Sequence, residues 1–162
     1  MAVDMFLKLT GINGEAKDAI HKDEIDILAW SWGESNSGTA HMGGGSGAGK
    51  VNVQDLSITK YVDLASSSLI EACAIGKHIT EATLTMRKAG TSPLEYIIIT
   101  LTEVLVSSYS TGGSGGEDRL TENVSLNFAK FKYEYKEQLA TGGAGKTGSF
   151  IYNIQTNKAG AE

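Results

Sequence analysis

The chain has 162 residues, 41 % of them hydrophobic and 20 % charged, with a net charge of −5, which describes one soluble domain able to bury about 70 % of its unfolded surface around a single core. Lys and Arg never gather into a basic stripe, so the electrostatic footprint of a nucleic-acid binder is missing. No apolar run is long enough for a membrane span or a signal peptide, so the sequence reads as cytoplasmic with no membrane insertion, and export would need a route that ignores signal peptides.

Twenty glycines stand against a single proline. They concentrate at 43–49, 112–116 and 142–148, and the segments between them alternate apolar and polar, which predicts an antiparallel all-β domain with exposed connections. Residues 5–9 read as a first strand, followed by a tight turn at Asn13 and Gly14. A second strand covers 24–33. On it Leu28, Trp30 and Trp32 share one face, assigned to the core because indoles bury so much area, while Ile25, Ile27, Ala29 and Ser31 share the other. Ala29 and Ser31 are small, and in an assembly their face could approach a neighbour or line a channel.

Val51 and Val53 are out of phase with Leu56 and Ile58, which predicts a bulge near Asp55. A helix follows over 66–75, with Ser68 and Glu71 at capping-box spacing, an apolar face of Leu69, Ile70, Cys73 and Ala74, and Gly76 closing it. Cys73 is the single cysteine. It can form no internal disulfide and reads as a buried small hydrophobe. Residues 81–88 and 94–107 read as a hairpin whose second strand is apolar on both faces in its middle. That suggests a closed barrel covered by the helix or by another subunit. Val124, Leu126 and Phe128 continue the pattern, which shifts phase at Ala129 before Phe131, Tyr133 and Tyr135, a second bulge candidate. A short strand over 150–154 leads into a polar tail.

Little in the chain points to catalysis. Residues 43–49 read Gly-Gly-Gly-Ser-Gly-Ala-Gly and are followed by Lys50, close to a phosphate-binding loop. Such a loop needs Ser or Thr after the Lys, a buried strand before it and a helix after it. Val51 follows instead, residues 37–42 are no buried strand, and residues 51–58 have no helical period. His21, His41 and His78 show no metal-ligand spacing and read as surface residues. Residues 112–117 approximate a calcium-binding nonapeptide, but Glu117 stands where Asp is wanted and there is one copy only. The charged run 116–123 reads as a solvated strand entry, with a salt-bridged contact to another subunit as its alternative. No cofactor, metal or enzymatic activity is expected.

Several of these motifs together resemble the haemolysin co-regulated protein (Hcp) family, the inner-tube subunits of bacterial type VI secretion systems. The resemblance rests on Leu-Ala-Trp-Ser-Trp-Gly at 28–33, on 41–56 with its glycine loop, and on Ala72, Cys73, Gly76, Lys77 and His78. It extends through 84–90, 104–108 and 110–124, and it covers residues 1 to about 157, leaving 158–162 as a polar tail. It implies a two-sheet antiparallel β-barrel flanked by one helix. Six copies would close into a ring, and rings would stack into a tube. A contractile sheath would then expel that tube with its spike and effector proteins. The implied partners are therefore further copies of the chain, sheath, spike and baseplate proteins, and effectors carried in the lumen. The protein would be cytoplasmic before firing and secreted afterwards.

On this reading the loop 37–50, with His41, Met42, Gly43, Gly44, Gly45 and Lys50, reaches the neighbouring ring. The loop 109–119, with Gly112, Gly113, Glu117, Asp118 and Arg119, is its companion, and Ala29 and Ser31 face the lumen. Glycines suit such contacts because the backbone can approach a partner closely. The alternative from another class is a monomeric β-sandwich that binds a sugar or another small ligand in an exposed aromatic cleft.

Overall fold

The computed structural model describes residues 2–38, 41 and 49–160. Three long antiparallel strands form its centre: β7 (Ile79–Lys88), β8 (Glu95–Thr111) and β9 (Thr121–Gln138). β1 (Val3–Leu9) adds to β7, and β10 (Ala144–Asn153) adds to β9. β2 (Ile25–Asp26) pairs with β1. β11 (Lys158–Ala159) pairs with Tyr152 and Asn153, so the polar tail begins as a two-residue strand.

The alternating pattern of β9 is long enough to pair with two different strands along one edge. Its C-terminal half carries β10, whereas its N-terminal half pairs with β6 (Leu56–Tyr61), from Leu56 opposite Leu126 to Tyr61 opposite Thr121. β3 (Ala29–Ser31) lies on the far side of β6. The amide of Ile27 donates to the Met5 carbonyl at 3.0 Å, and the next amide, of Leu28, donates to the Thr59 carbonyl at 2.8 Å. The run from β2 to β3 thus hands its hydrogen bonds from one sheet end to the other. The ladder is not closed, but this run spans the gap and gives the antiparallel, barrel-like enclosure expected. β4 (Glu34–Asn36) and β5 (Val51–Val53) form a separate two-stranded stem.

That hand-over corrects the two faces assigned to residues 24–33. Ile25 and Ile27 are buried, whereas Leu28 is 41 % exposed. Strand alternation cannot run through a residue at which the chain changes pairing partners. Trp30 and Trp32 are half-buried and pack on the core, and Ala29 and Ser31 are exposed as expected. The phase change near Asp55 has the same origin: in place of a bulge, the chain leaves β4 as a partner and joins β3 and β9. The phase change at Ala129 is present, since Phe128 and Phe131 are both buried. Across from it Glu103 has φ +60° and Leu101 and Val104 are both buried, so both strands turn together and no register shift occurs there. The register shift on this pair falls at Ser107 instead.

α1 (Ser66–Ile75) packs chiefly on β8. Its buried positions are Ser66, Leu69 and Ala72, with Cys73 half-buried; Ile70 is 47 % exposed. The expected capping box is absent. The cap residue is Ala65, which makes no side-chain cap bond; Asp63 instead braces the turn before the helix, its Oδ1 accepting from the Ala65 amide at 2.9 Å and its own amide donating to Ser66 Oγ at 3.0 Å. Gly76 closes the helix at φ +65°, a left-handed conformation that suits glycine.

Part of the second apolar face of β8 is covered by the chain's own segment 13–24. Outward-facing Phe6 and Thr85 are buried beneath the segment 13–24, with Ile98 half-buried beside them. There His21 stacks on Phe6 at 4.5 Å, with Nδ1 2.8 Å from Glu24 and Nε2 2.8 Å from Glu95. His21 is therefore not a surface residue. Arg87 lies over the same ring and bonds Asp4 at 3.1 Å and Asp18 at 2.5 Å. The Arg87 hydrogen bond holds the Asp18 carboxyl well below the usual carboxylate range.

Candidate assembly surfaces

The residues expected to make contacts fall in two glycine loops and on one sheet face. The first loop grows from the β4–β5 stem. His41 and Lys50 are exposed, while Met42, Gly43, Gly44 and Gly45 lie outside the described residues. The stem is held at its base by Trp32, whose indole N–H donates to the Gln54 carbonyl at 2.9 Å and whose ring meets Phe131 edge-on at 4.8 Å. Beside it an open groove of about 360 Å³ is lined by Glu34, Asn36, Val51, Phe150 and Tyr152. β6 runs toward the Thr121 end of β9, so β5, which precedes it, comes from the other direction.

The second loop joins β8 to β9 at that Thr121 end. Gly112, Gly113, Glu117, Asp118 and Arg119 are all exposed. The loop is nevertheless well anchored. The Val62 amide donates to the Leu120 carbonyl at 2.9 Å, and the Arg119 guanidinium sits 3.8 Å from the centre of the Tyr61 ring. Gly113 packs so closely that a Cβ there would meet Leu120 Cδ2 at 2.4 Å. The stem of the first loop and the whole of the second thus lie toward opposite ends of β9.

Beneath the second loop is a feature that the sequence reading missed. Glu122, expected to be solvated, is fully buried, as is Lys60 directly opposite it on β6. Lys60 Nζ bonds the Glu122 carboxylate and also donates to Asp63 at 2.8 Å and to the Tyr61 carbonyl at 2.9 Å. Ser66 Oγ donates to Glu122 at 2.8 Å, and the Tyr109 hydroxyl donates to the other carboxylate oxygen. Burial alone would raise the Glu122 pKa, but the hydrogen bonds from Lys60, Tyr109 and Ser66 outweigh it and hold the carboxyl below its ordinary range. Burial and the bond to Glu122 push the Tyr109 hydroxyl up to about 12. A signal did exist: Lys60 continues the inward phase of Leu56 and Ile58, and Glu122 that of Val124 and Leu126. Two opposite charges at in-phase core positions of neighbouring strands imply a buried pair.

Ala29 and Ser31 sit on a wider surface of uniform chemistry. Ala29, Thr59, Asn123 and Ser110 form one row across β3, β6, β9 and β8, and Ser31, Ser57, Ser125 and Ser108 form the next. None is charged, and all are exposed or half-buried. Thr59 Oγ1 donates to Asn123 Oδ1 at 2.7 Å, and the Ser57 and Ser125 hydroxyls lie 3.3 Å apart.

The chain matches the family described as type VI secretion system effector, Hcp, over residues 6–135. It belongs to the Hcp family of type VI secretion proteins. It is 60 % identical over 159 residues to the protein hcp1 of Pseudomonas aeruginosa, which covers 97 % of this chain and 98 % of that protein. Among solved structures, a type six secretion system protein superposes with a TM-score of 0.92 at 32 % identity, covering 98 % of this chain and 100 % of the other. Hcp1 from Salmonella typhimurium superposes with a TM-score of 0.80 at 42 % identity, covering 98 % and 99 %. No helix of the described residues is long and apolar enough to cross a membrane.

Proposed function

We propose that this Hcp chain is the repeating subunit of a secretion tube. Six copies close into a ring, rings stack head to tail, and sheath contraction expels the tube with its spike while effectors ride in the lumen. The observation that carries this reading is the placement of the second glycine loop and of the stem of the first toward opposite ends of β9. Head-to-tail stacking is heterologous, so it needs two different surfaces facing opposite ways, and it can then propagate without closing. Each single contact would be weak, because ordering a glycine loop costs entropy, and the ring's multivalency compensates. The uncharged rows through Ala29 and Ser31 suit a lumen wall, which must hold a passenger and release it. This subunit role is structural, with no catalytic step and no cofactor; it assembles with its own copies, sheath, spike and baseplate, and moves from cytoplasm to the outside.

Size-exclusion chromatography with light scattering at micromolar concentration and two salt strengths tests the reading. A mass near six subunits supports it. A monomer favours a ligand-binding module, for which the groove beside Phe150 and Tyr152 is the one supporting feature. For the lumen, Ser31→Gln should lower effector retention with rings intact; unchanged effector levels would remove Ser31 from that wall.

A further inference from the structure

We infer that Glu122 is the positioning residue of the second loop, locking it and the start of α1 into one rigid unit at the end of the barrel. This rests on the reading of that loop as a stacking contact. Three elements meet on one carboxylate: Lys60 from β6, Ser66 from the first turn of α1, and Tyr109 from β8. Tyr109 and Glu122 belong to the two strands that enter and leave the loop 112–120, so their bond clamps its stems from inside the barrel. Outside, Leu120 pairs with Val62, which lies between Lys60 and Asp63, the residue that braces the turn into α1. The loop, the end of β6 and the helix start therefore share one hydrogen-bonded support. The carboxylate also lies at the N-terminal end of α1, where the helix dipole favours negative charge. A buried ion pair is a poor source of net stability, since desolvation offsets its attraction. Its orientational demand is strict, however, because every partner left unmatched in the interior is penalised. A device of this kind fixes geometry, and fixed geometry is what a loop needs if it must register against the next ring.

Amide hydrogen exchange on the intact chain tests this with two variants. Glu122→Gln removes the charge, and Tyr109→Phe removes only the hydroxyl, so the second remains informative if the first fails to fold. Exchange across 110–121 and at the start of α1 should rise about tenfold in Tyr109→Phe and more in Glu122→Gln, with β1, β7 and the centre of β8 unchanged. A uniform rise across all strands, or no rise in the loop, would overturn the positioning role. Tube growth, followed by electron microscopy of the same samples, separates this inference from the reading beneath it. A loosened loop with shorter or fewer tubes supports both. A loosened loop with normal tubes leaves Glu122 as the clamp and removes the loop from the stacking contact.

Discussion

The two glycine loops resemble each other in sequence and differ sharply in what holds them. The first stands on a stem of three paired residues per strand, with Glu34, Ser35 and Asn36 all exposed, and one indole hydrogen bond pins its base. The second stands on strands of 17 and 18 residues, over a fully buried ion pair whose carboxylate is held from three other elements. Glycine content therefore says where a chain can approach a partner, not how firmly the approach is presented.

The largest test of this contrast is Lys60→Ala, which leaves Glu122 buried without its counter-charge. It should cost about 3–5 kcal/mol in urea unfolding. A loss under about 1 kcal/mol would mean that the second loop owes little to the buried pair.

Next comes pH. The Glu122 and Asp18 carboxyls are lowered in the fold, so their contribution is present above the ordinary carboxylate range and is lost as pH falls through their folded values. Tyr109 is raised to about 12, so its contribution is present below the ordinary tyrosine value near 10 and is lost as pH rises toward about 12. Thermal melts against pH should show both limbs, and Tyr109→Phe should flatten the alkaline one.

Smaller still is Gly76→Ala. The helix ends at φ +65° with nothing within 4 Å of the missing Cβ, so backbone conformation alone sets the cost, about 1–2 kcal/mol. It loosens the far end of α1 and should leave both loops in place by hydrogen exchange.

The mildest is Trp32→Phe, which removes the donor to the Gln54 carbonyl for about 1 kcal/mol. Faster exchange confined to 34–38 and 49–54 would confirm that the first loop hangs on this bond, and an unchanged profile would shift its support to the aromatic packing on Phe131.

The sequence by itself determined the strand-rich class, the helix over 66–75 with its glycine stop, the long central hairpin and the glycine loops. Each depends on local periodicity and turn chemistry. It also carried the family, because extended loop motifs occur in order along the chain. Only the tertiary structure decided which side of residues 24–33 is buried, since alternation predicts faces only while a strand keeps one partner, and this run changes partners between Ile27 and Leu28. It likewise decided that His21 is enclosed by Glu24 and Glu95 and that Glu122 faces Lys60. Their partners lie 3, 74 and 62 residues away. The burial that makes such charges costly or useful exists only once distant strands have paired.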